Sequence, residues 1–260
     1  MIGRKYETGL EWAGRVVCND ASVDAPERIA AEGARILSVA RAGDLAAPVP
    51  KVGRWKLRDV IAHLGGVHRW ANRIVNERSM DGPRFTASKL DREELLAWFD
   101  EGLQMLVTTL ATTEPAASCP NFNPGSENTV AWWTRRQLHE TTVHRCDVEA
   151  AAGLPTPIVE DVAADGVDEF LDTFVRTRGK QTATAPVVLT SDEPPRSWTV
   201  TLSAKPGRVD VTAGDHGGAG RLVGAPDDLL LLLWNRRDLE ETGLVVEGDA
   251  DAVRAFLGGA

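Results

Sequence analysis

The sequence predicts an α+β protein, in which an N-terminal helical bundle precedes a small C-terminal α+β domain. Apolar residues recur at helical spacing in several long segments before about Arg178. After that point come short β-type runs separated by Pro–Pro, Pro–Gly and Gly–Gly turns. With 260 residues, 43% of them hydrophobic, the chain is long enough for one large domain or two small ones.

Composition divides the chain into three predicted parts. Residues 1–24 have no clear period and form an N-terminal extension. Residues 25–178 form the helical bundle, and residues 186–260 form the C-terminal domain. The stretch GKQTATAP between these two parts is a predicted linker.

Five helices are predicted in the first part. Asp24 is the expected N-cap of the first, and Gly43 ends it. The others span Trp55 to Arg78, Asp91 to Leu110, Thr129 to Gly153 and Val159 to Thr177. Gly65 and Gly66 lie within the second helix, where they indicate either close packing or a local bend.

The second part has five strand candidates and two helices. The strands are expected at 187–190, 198–202, 209–212, 221–223 and 243–247. A Leu-rich helix is expected from Asp227 to Arg237, and a closing helix from Asp249 to Leu257.

Charge and cysteine content exclude several classes of function. The net charge of −9 argues against nucleic acid or an anionic membrane as partner, since both favour basic patches. No apolar run approaches the roughly 20 residues of a transmembrane helix. The N-terminus lacks the apolar segment of a signal peptide, and three cysteines do not make a disulfide framework. We therefore expect a cytoplasmic protein with free thiols.

The fourth predicted helix carries a group of side chains suited to binding a metal. Glu140 and His144 are four residues apart and project from one face, and Asp147 lies on the same side. Apolar residues border this strip, so we expect it to face the bundle interior. Buried charges persist when they are paired or bound to a metal. Arg136, one turn before Glu140, is either its ion-pair partner or a solvated charge.

A third ligand has to come from another helix. His63 and His68 are the candidates, and helical geometry separates them by about 140°, so at most one is expected to join. The string HETTVH is not the HExxH zinc motif, because His139 and His144 are also about 140° apart on a regular helix. A hydrogen-bonded core histidine is the alternative to a ligand at each position.

Several segments resemble the mycothiol-dependent maleylpyruvate isomerase family of DinB-like metal-binding bundles. WKLRDVIAHLGGVHRW, from Trp55, resembles the family's first ligand segment. HETTVHRCDVEAAAG, preceded by WWTRRQ, is similar to its second ligand helix. LVGAPDDLLLLLWNRRDLE and LVVEGDADAVRAFL resemble its sterol-carrier-protein-like C-terminal domain, although Asn235 replaces a common glycine.

This resemblance implies a DinB-like four-helix bundle that holds a divalent metal, usually zinc. It implies His63, Glu140 and His144 as ligands, and mycothiol as a thiol cosubstrate. It further implies a catalytic-site role for Asp147 beside the metal. Arg236 or Arg237 would bind a substrate carboxylate.

The leading hypothesis is a zinc enzyme that uses a small thiol for transfer to, or cis–trans isomerisation of, a small electrophile. A metal-dependent hydrolase with the same site is the first alternative. The second is a non-catalytic binding or regulatory module, stabilised by metal or free of it.

Overall fold

The computed structural model of the protein describes residues 25–87, 89–123, 125–175, 185–202 and 209–259. The predicted N-terminal extension and most of the predicted linker lie outside these residues, as do Cys18 and Asp24. The predicted division into domains at about residue 178 stays a prediction.

Four long helices make up the N-terminal bundle. Helix α2 packs against α3 and α4, and α1 packs against the same two helices. Fully buried apolar side chains such as Ile36, Leu64, Phe99 and Trp133 fill the space between them. The helices are α1 (Ala25–Ala42), α2 (Leu57–Glu77), α3 (Arg92–Thr112) and α4 (Val130–Ala152).

Capping residues set the ends of α3 and α4. Asp91 accepts a hydrogen bond from the backbone of Glu94 at 2.9 Å, and the Glu94 side chain accepts one in return. Thr129 caps the start of α4. Gly153 ends α4 with φ of 70°, a left-handed conformation that glycine adopts without steric cost.

The adjacent glycines in α2 serve close packing, and the helix continues through them. A Cβ on Gly65 would lie 2.5 Å from the Trp98 ring. A Cβ on Gly66 would lie 2.6 Å from the backbone oxygen of Phe85. The segment between α2 and α3 therefore lies directly on the helix surface.

A fifth helix, α5 (Glu160–Glu169), continues into a π-helical turn (Phe170–Phe174). The helix packs against α6 (Pro226–Leu233) of the C-terminal part. Asp168 accepts hydrogen bonds from Arg196 and from the indole of Trp198, which lie on a strand of the sheet. These contacts join α5 to the second part of the chain.

The C-terminal part is a mixed five-stranded sheet with the order β3-β2-β1-β4-β5. Strands β1 and β4 pair in parallel, and every other neighbouring pair is antiparallel. Helices α6 and α7 (Ala250–Gly259) contact β1 and β4 at the centre. The strands are β1 (Val187–Ser191), β2 (Arg196–Leu202), β3 (Val209–Ala213), β4 (Gly220–Gly224) and β5 (Val245–Gly248).

The Leu-rich helix α6 is shorter than the sequence predicts. It ends at Leu233, whereas the apolar pattern indicated Arg237. Asn235 has φ of 57°, and this left-handed conformation breaks the helix. Asparagine tolerates that conformation better than most residues, which explains how it replaces the glycine common at this position.

His68 is a fully buried residue of the bundle core. Its Nε2 atom lies 3.1 Å from Thr141 Oγ1, so the contact joins α2 to α4. Burial lowers the pKa of His68 to about 3, because the charged imidazolium would lose its water.

No described helix has both the length and the hydropathy needed to span a membrane.

We predict that Gly66→Val destabilises the protein by about 2 kcal/mol, since the added side chain meets backbone that has to move. Urea denaturation would measure the loss. Gly258→Val is the matched control, because nothing lies within 4 Å of a Cβ at that position of α7. Equal stability of the two variants would contradict the close packing.

His68 gives a pH prediction. The ordinary pKa of histidine is about 6.5, so the unfolded chain binds a proton there below pH 6.5 while the folded chain does not. The free energy of unfolding should fall by about 2 kcal/mol between pH 7 and pH 5 through this residue. His68→Gln should remove that part of the pH dependence. The idea fails if the wild type and the variant lose stability in parallel over this range.

Candidate metal centre

Three side chains from two helices converge where α2 packs against α4. His63 comes from α2, and Glu140 and His144 come from successive turns of α4. One potential ligand atom from each residue lies within 4.8 Å of the others. The i, i+4 spacing on α4 and the packing of α2 against it create this group.

The ligand atoms surround a single carboxylate oxygen. His63 Nε2 lies 3.2 Å from Glu140 Oε1, and His144 Nε2 lies 3.4 Å from the same atom. The His63 side chain is 38% exposed and that of His144 is 9% exposed, so the group opens to solvent on the α2 side.

Asp147 orients the His144 ring from the side opposite the three converging ligand atoms. Its Oδ2 lies 2.8 Å from Nδ1 of His144, which leaves Nε2 directed at the group. Arg236, in the loop after α6, donates Nε and Nη2 to the two Asp147 oxygens at 2.8 and 3.1 Å. Its Nη1 donates to the Trp234 carbonyl. Arg236 is thus a partner of Asp147, and its predicted contact with a substrate carboxylate stays a prediction.

Glu140 is held on its other side by a buried arginine. Arg136 Nη2 donates to Glu140 Oε2 at 3.0 Å, which is the ion-pair alternative of the two considered from sequence. Arg136 Nη1 donates to Glu169 of α5. This pairing leaves Glu140 Oε1 to face the two imidazoles.

These contacts shift the pKa values within the group. Burial opposes the charged form of His144, but its hydrogen bonds with Asp147 and Glu140 still raise the pKa of this imidazole to about 9. Burial likewise opposes the Glu140 carboxylate, yet its hydrogen bonds with His144 and His63 hold its pKa well below the usual range. Both shifts have one cause, which is the close pairing of the carboxylates with the imidazoles.

Trp55 covers both imidazoles, a role that sequence reasoning missed. Its ring centroid lies 5.0 Å from that of His63 and 6.2 Å from that of His144. The residue stands before α2 and outside its helical period, so no periodicity marked it. A tryptophan eight residues ahead of a candidate ligand was the available signal.

The remaining histidines of the two helices lie away from this group. His68 contacts Thr141 in the core, so α2 brings His63 and not His68 to the two residues of α4. His139 Nε2 lies 2.7 Å from Asp165 of α5. The 140° separation between His139 and His144 therefore directs them to different neighbours.

The resemblance also offered Arg237 for a substrate carboxylate, and that role stays a prediction. Arg237 pairs with Asp227 and Asp228. Cys146 is absent from the group, and burial raises the pKa of its thiol to about 12.

Family models match most of the chain. The model of the mycothiol maleylpyruvate isomerase N-terminal domain matches residues 27–149, and the model of the C-terminal domain of the same family matches residues 161–255. The first match contains the three converging residues, and the second contains Arg236. No curated protein sequence matches the chain.

Two solved structures have a similar fold. One is a mycothiol-dependent maleylpyruvate isomerase, with a TM-score of 0.60, and the other is a mutant of such an enzyme, with a TM-score of 0.62. Each is 11% identical to this chain, and each alignment covers 89% of this chain and 95% of the other. At this identity the likeness shows the fold, a helical bundle with a small mixed sheet.

The predicted α+β class and the predicted bundle are both confirmed. The family matches, which together extend from residue 27 to residue 255, also confirm the resemblance seen in the sequence motifs. The chain belongs to the mycothiol maleylpyruvate isomerase family, a family of enzymes.

Proposed function

We propose that this protein is a zinc enzyme that adds a low-molecular-weight thiol, mycothiol, to a small electrophile. In isomerisation, the thiol adds across a cis double bond, the resulting single bond rotates, and elimination of the thiol restores the double bond as trans. In transfer, the adduct is released. The convergence of His63, Glu140 and His144 on one opening is the observation that carries the proposal.

The donor set suits zinc. Two imidazole nitrogens and one carboxylate oxygen form a three-ligand set of the kind found in catalytic zinc sites, which keep a further position open. The Asp147 contact to Nδ1 fixes His144 in the tautomer that offers Nε2. A bound zinc ion would supply a positive charge that keeps a thiol sulfur deprotonated.

The chain's own residues supply orientation and charge balance. Arg136 holds Glu140 with one oxygen facing the two histidines. Trp55 covers one side of both imidazoles and limits water there. Exposure on the His63 side leaves a route for thiol and electrophile.

Asp147 and Arg236 are proposed to act on the reaction through His144. The arginine neutralises the buried carboxylate, and the carboxylate holds the imidazole. Neither needs to touch the substrate for this role. Arg236 donates three hydrogen bonds in this arrangement, and its guanidinium has five N–H donors, so a direct contact with a substrate carboxylate is compatible with the Asp147 pair.

We predict that His63→Ala, Glu140→Gln and His144→Ala each remove stoichiometric zinc and thiol-dependent activity. Loss of a ligand should cost more than the roughly 10–100-fold typical of losing a ligand's hydrogen-bond partner. Metal analysis and chelator competition would measure binding. His139→Gln is the matched control, since it removes a histidine of α4 that faces Asp165.

Activity should require added thiol, and mycothiol should exceed glutathione and cysteine as cosubstrate. Hydrolysis of a test electrophile without thiol would instead favour the metal-dependent hydrolase. If the wild-type protein retains no zinc after incubation with the metal, the result would count against both the thiol-dependent enzyme and the hydrolase, and would favour the binding module.

Asp147→Asn should lower zinc affinity about 10–100-fold, because a neutral amide orients and polarises His144 less well. Asp165→Asn is the control, since it alters an equivalent aspartate–histidine contact outside the group. Equal zinc affinity of both variants would refute the positioning role of Asp147.

A further inference from the structure

A cavity of about 270 Å³ lies beside the candidate metal centre. Its walls include Ala62, His63 and Trp70 of α2, and Arg84 and Phe85 from the segment before α3. His63 belongs both to this cavity and to the group of three converging side chains. A molecule in the cavity would therefore lie next to the proposed site of reaction.

Packing fixes the shape of the cavity. Gly66 allows the Phe85 backbone to lie against α2, because any side chain there would meet the Phe85 oxygen. The Trp70 ring stacks on Phe122 at 6.3 Å and meets the edge of Trp133 at 5.2 Å. Close contacts on both sides hold this wall in place.

Arg84 is an exposed cation at the edge of this cavity. Its guanidinium lies 4.9 Å from the centroid of the Trp70 ring. Among the described residues, no carboxylate lies within ion-pair distance of Arg84, although the chain has a net charge of −9. The buried arginines Arg136 and Arg145, in contrast, have carboxylate partners.

We propose that this cavity binds the electrophile and that Arg84 binds a carboxylate on it. The assignment of the ligand as the electrophile rests on the proposed function. Planar guanidinium groups bind carboxylates through paired hydrogen bonds. The volume is just below the roughly 300–1,000 Å³ of pockets for drug-sized ligands, so it suits a small compound. Trp70 and Phe85 would contact the apolar part of that compound.

Maleate and dimethyl maleate test this proposal, since they share the double bond and differ in charge. Ligand-observed NMR would give their dissociation constants with zinc-loaded and zinc-stripped protein. Wild-type protein should bind maleate about tenfold more tightly than the diester, because charge-assisted hydrogen bonds are strong. Arg84→Gln should lose this preference and bind the diester as before, and Arg84→Lys should retain part of it.

Lys89→Gln is the matched control. It removes the same charge from the same segment, but Lys89 does not line the cavity. This variant should keep the wild-type preference for maleate. Loss of the preference in Lys89→Gln would assign it to the overall charge of the segment and overturn the role of Arg84.

Three further results would also overturn the proposal. The first is a wild type with no preference for maleate. The second is a preference that is lost on zinc removal and kept in Arg84→Gln, which would place the carboxylate on the metal. The third is an Arg84→Gln variant that binds N-acetylcysteine more weakly relative to its amide and binds maleate as the wild type does, which would assign Arg84 to the thiol. Because zinc-stripped protein is measured separately, the role of Arg84 can still be tested if the protein proves not to bind zinc.

Discussion

The need to pair charges inside the bundle governs the structure around α4. This helix is buried on almost every side, yet it carries Arg136, His144, Arg145, Asp147 and Glu149 in buried positions. An unpaired buried charge is costly, so each of these residues requires a charged partner. The partners come from α1, α5 and the loop after α6 as well as from α4 itself.

One continuous set of ion pairs follows from this requirement and passes through the candidate site. It runs from Glu169 of α5 through Arg136 to Glu140, and from His144 through Asp147 to Arg236. His63 of α2 approaches the middle of the set. The three converging residues are thus oriented by contacts on both sides. Such preorganisation is what a metal site or a catalytic site requires.

Local patterns were sufficient to predict the helices and the i, i+4 pair on α4. The predicted bounds at Asp91, Thr129 and Gly153 lie within one residue of the ends of α3 and α4, because helix ends depend on contacts within a few residues of chain. The choice between His63 and His68 needed the resemblance, since both flank the same apolar stripe and only tertiary packing separates them. The contact of Arg236 with Asp147 joins residues that are 89 positions apart in the sequence, so no local hydrophobic pattern could predict it. The early end of α6 depended on the backbone of one residue, Asn235.

The bond between Arg236 and Asp147 also constrains how this architecture evolves. The guanidinium from the sheet-bearing part neutralises an acid on the bundle helix that supplies two of the converging side chains. Swapping the sheet-bearing part for one without an arginine at this point would leave a buried acid with His144 as its remaining partner. We therefore expect the two parts to be inherited together. A recombinant of two relatives should fold when Asp147 and Arg236 come from the same parent sequence.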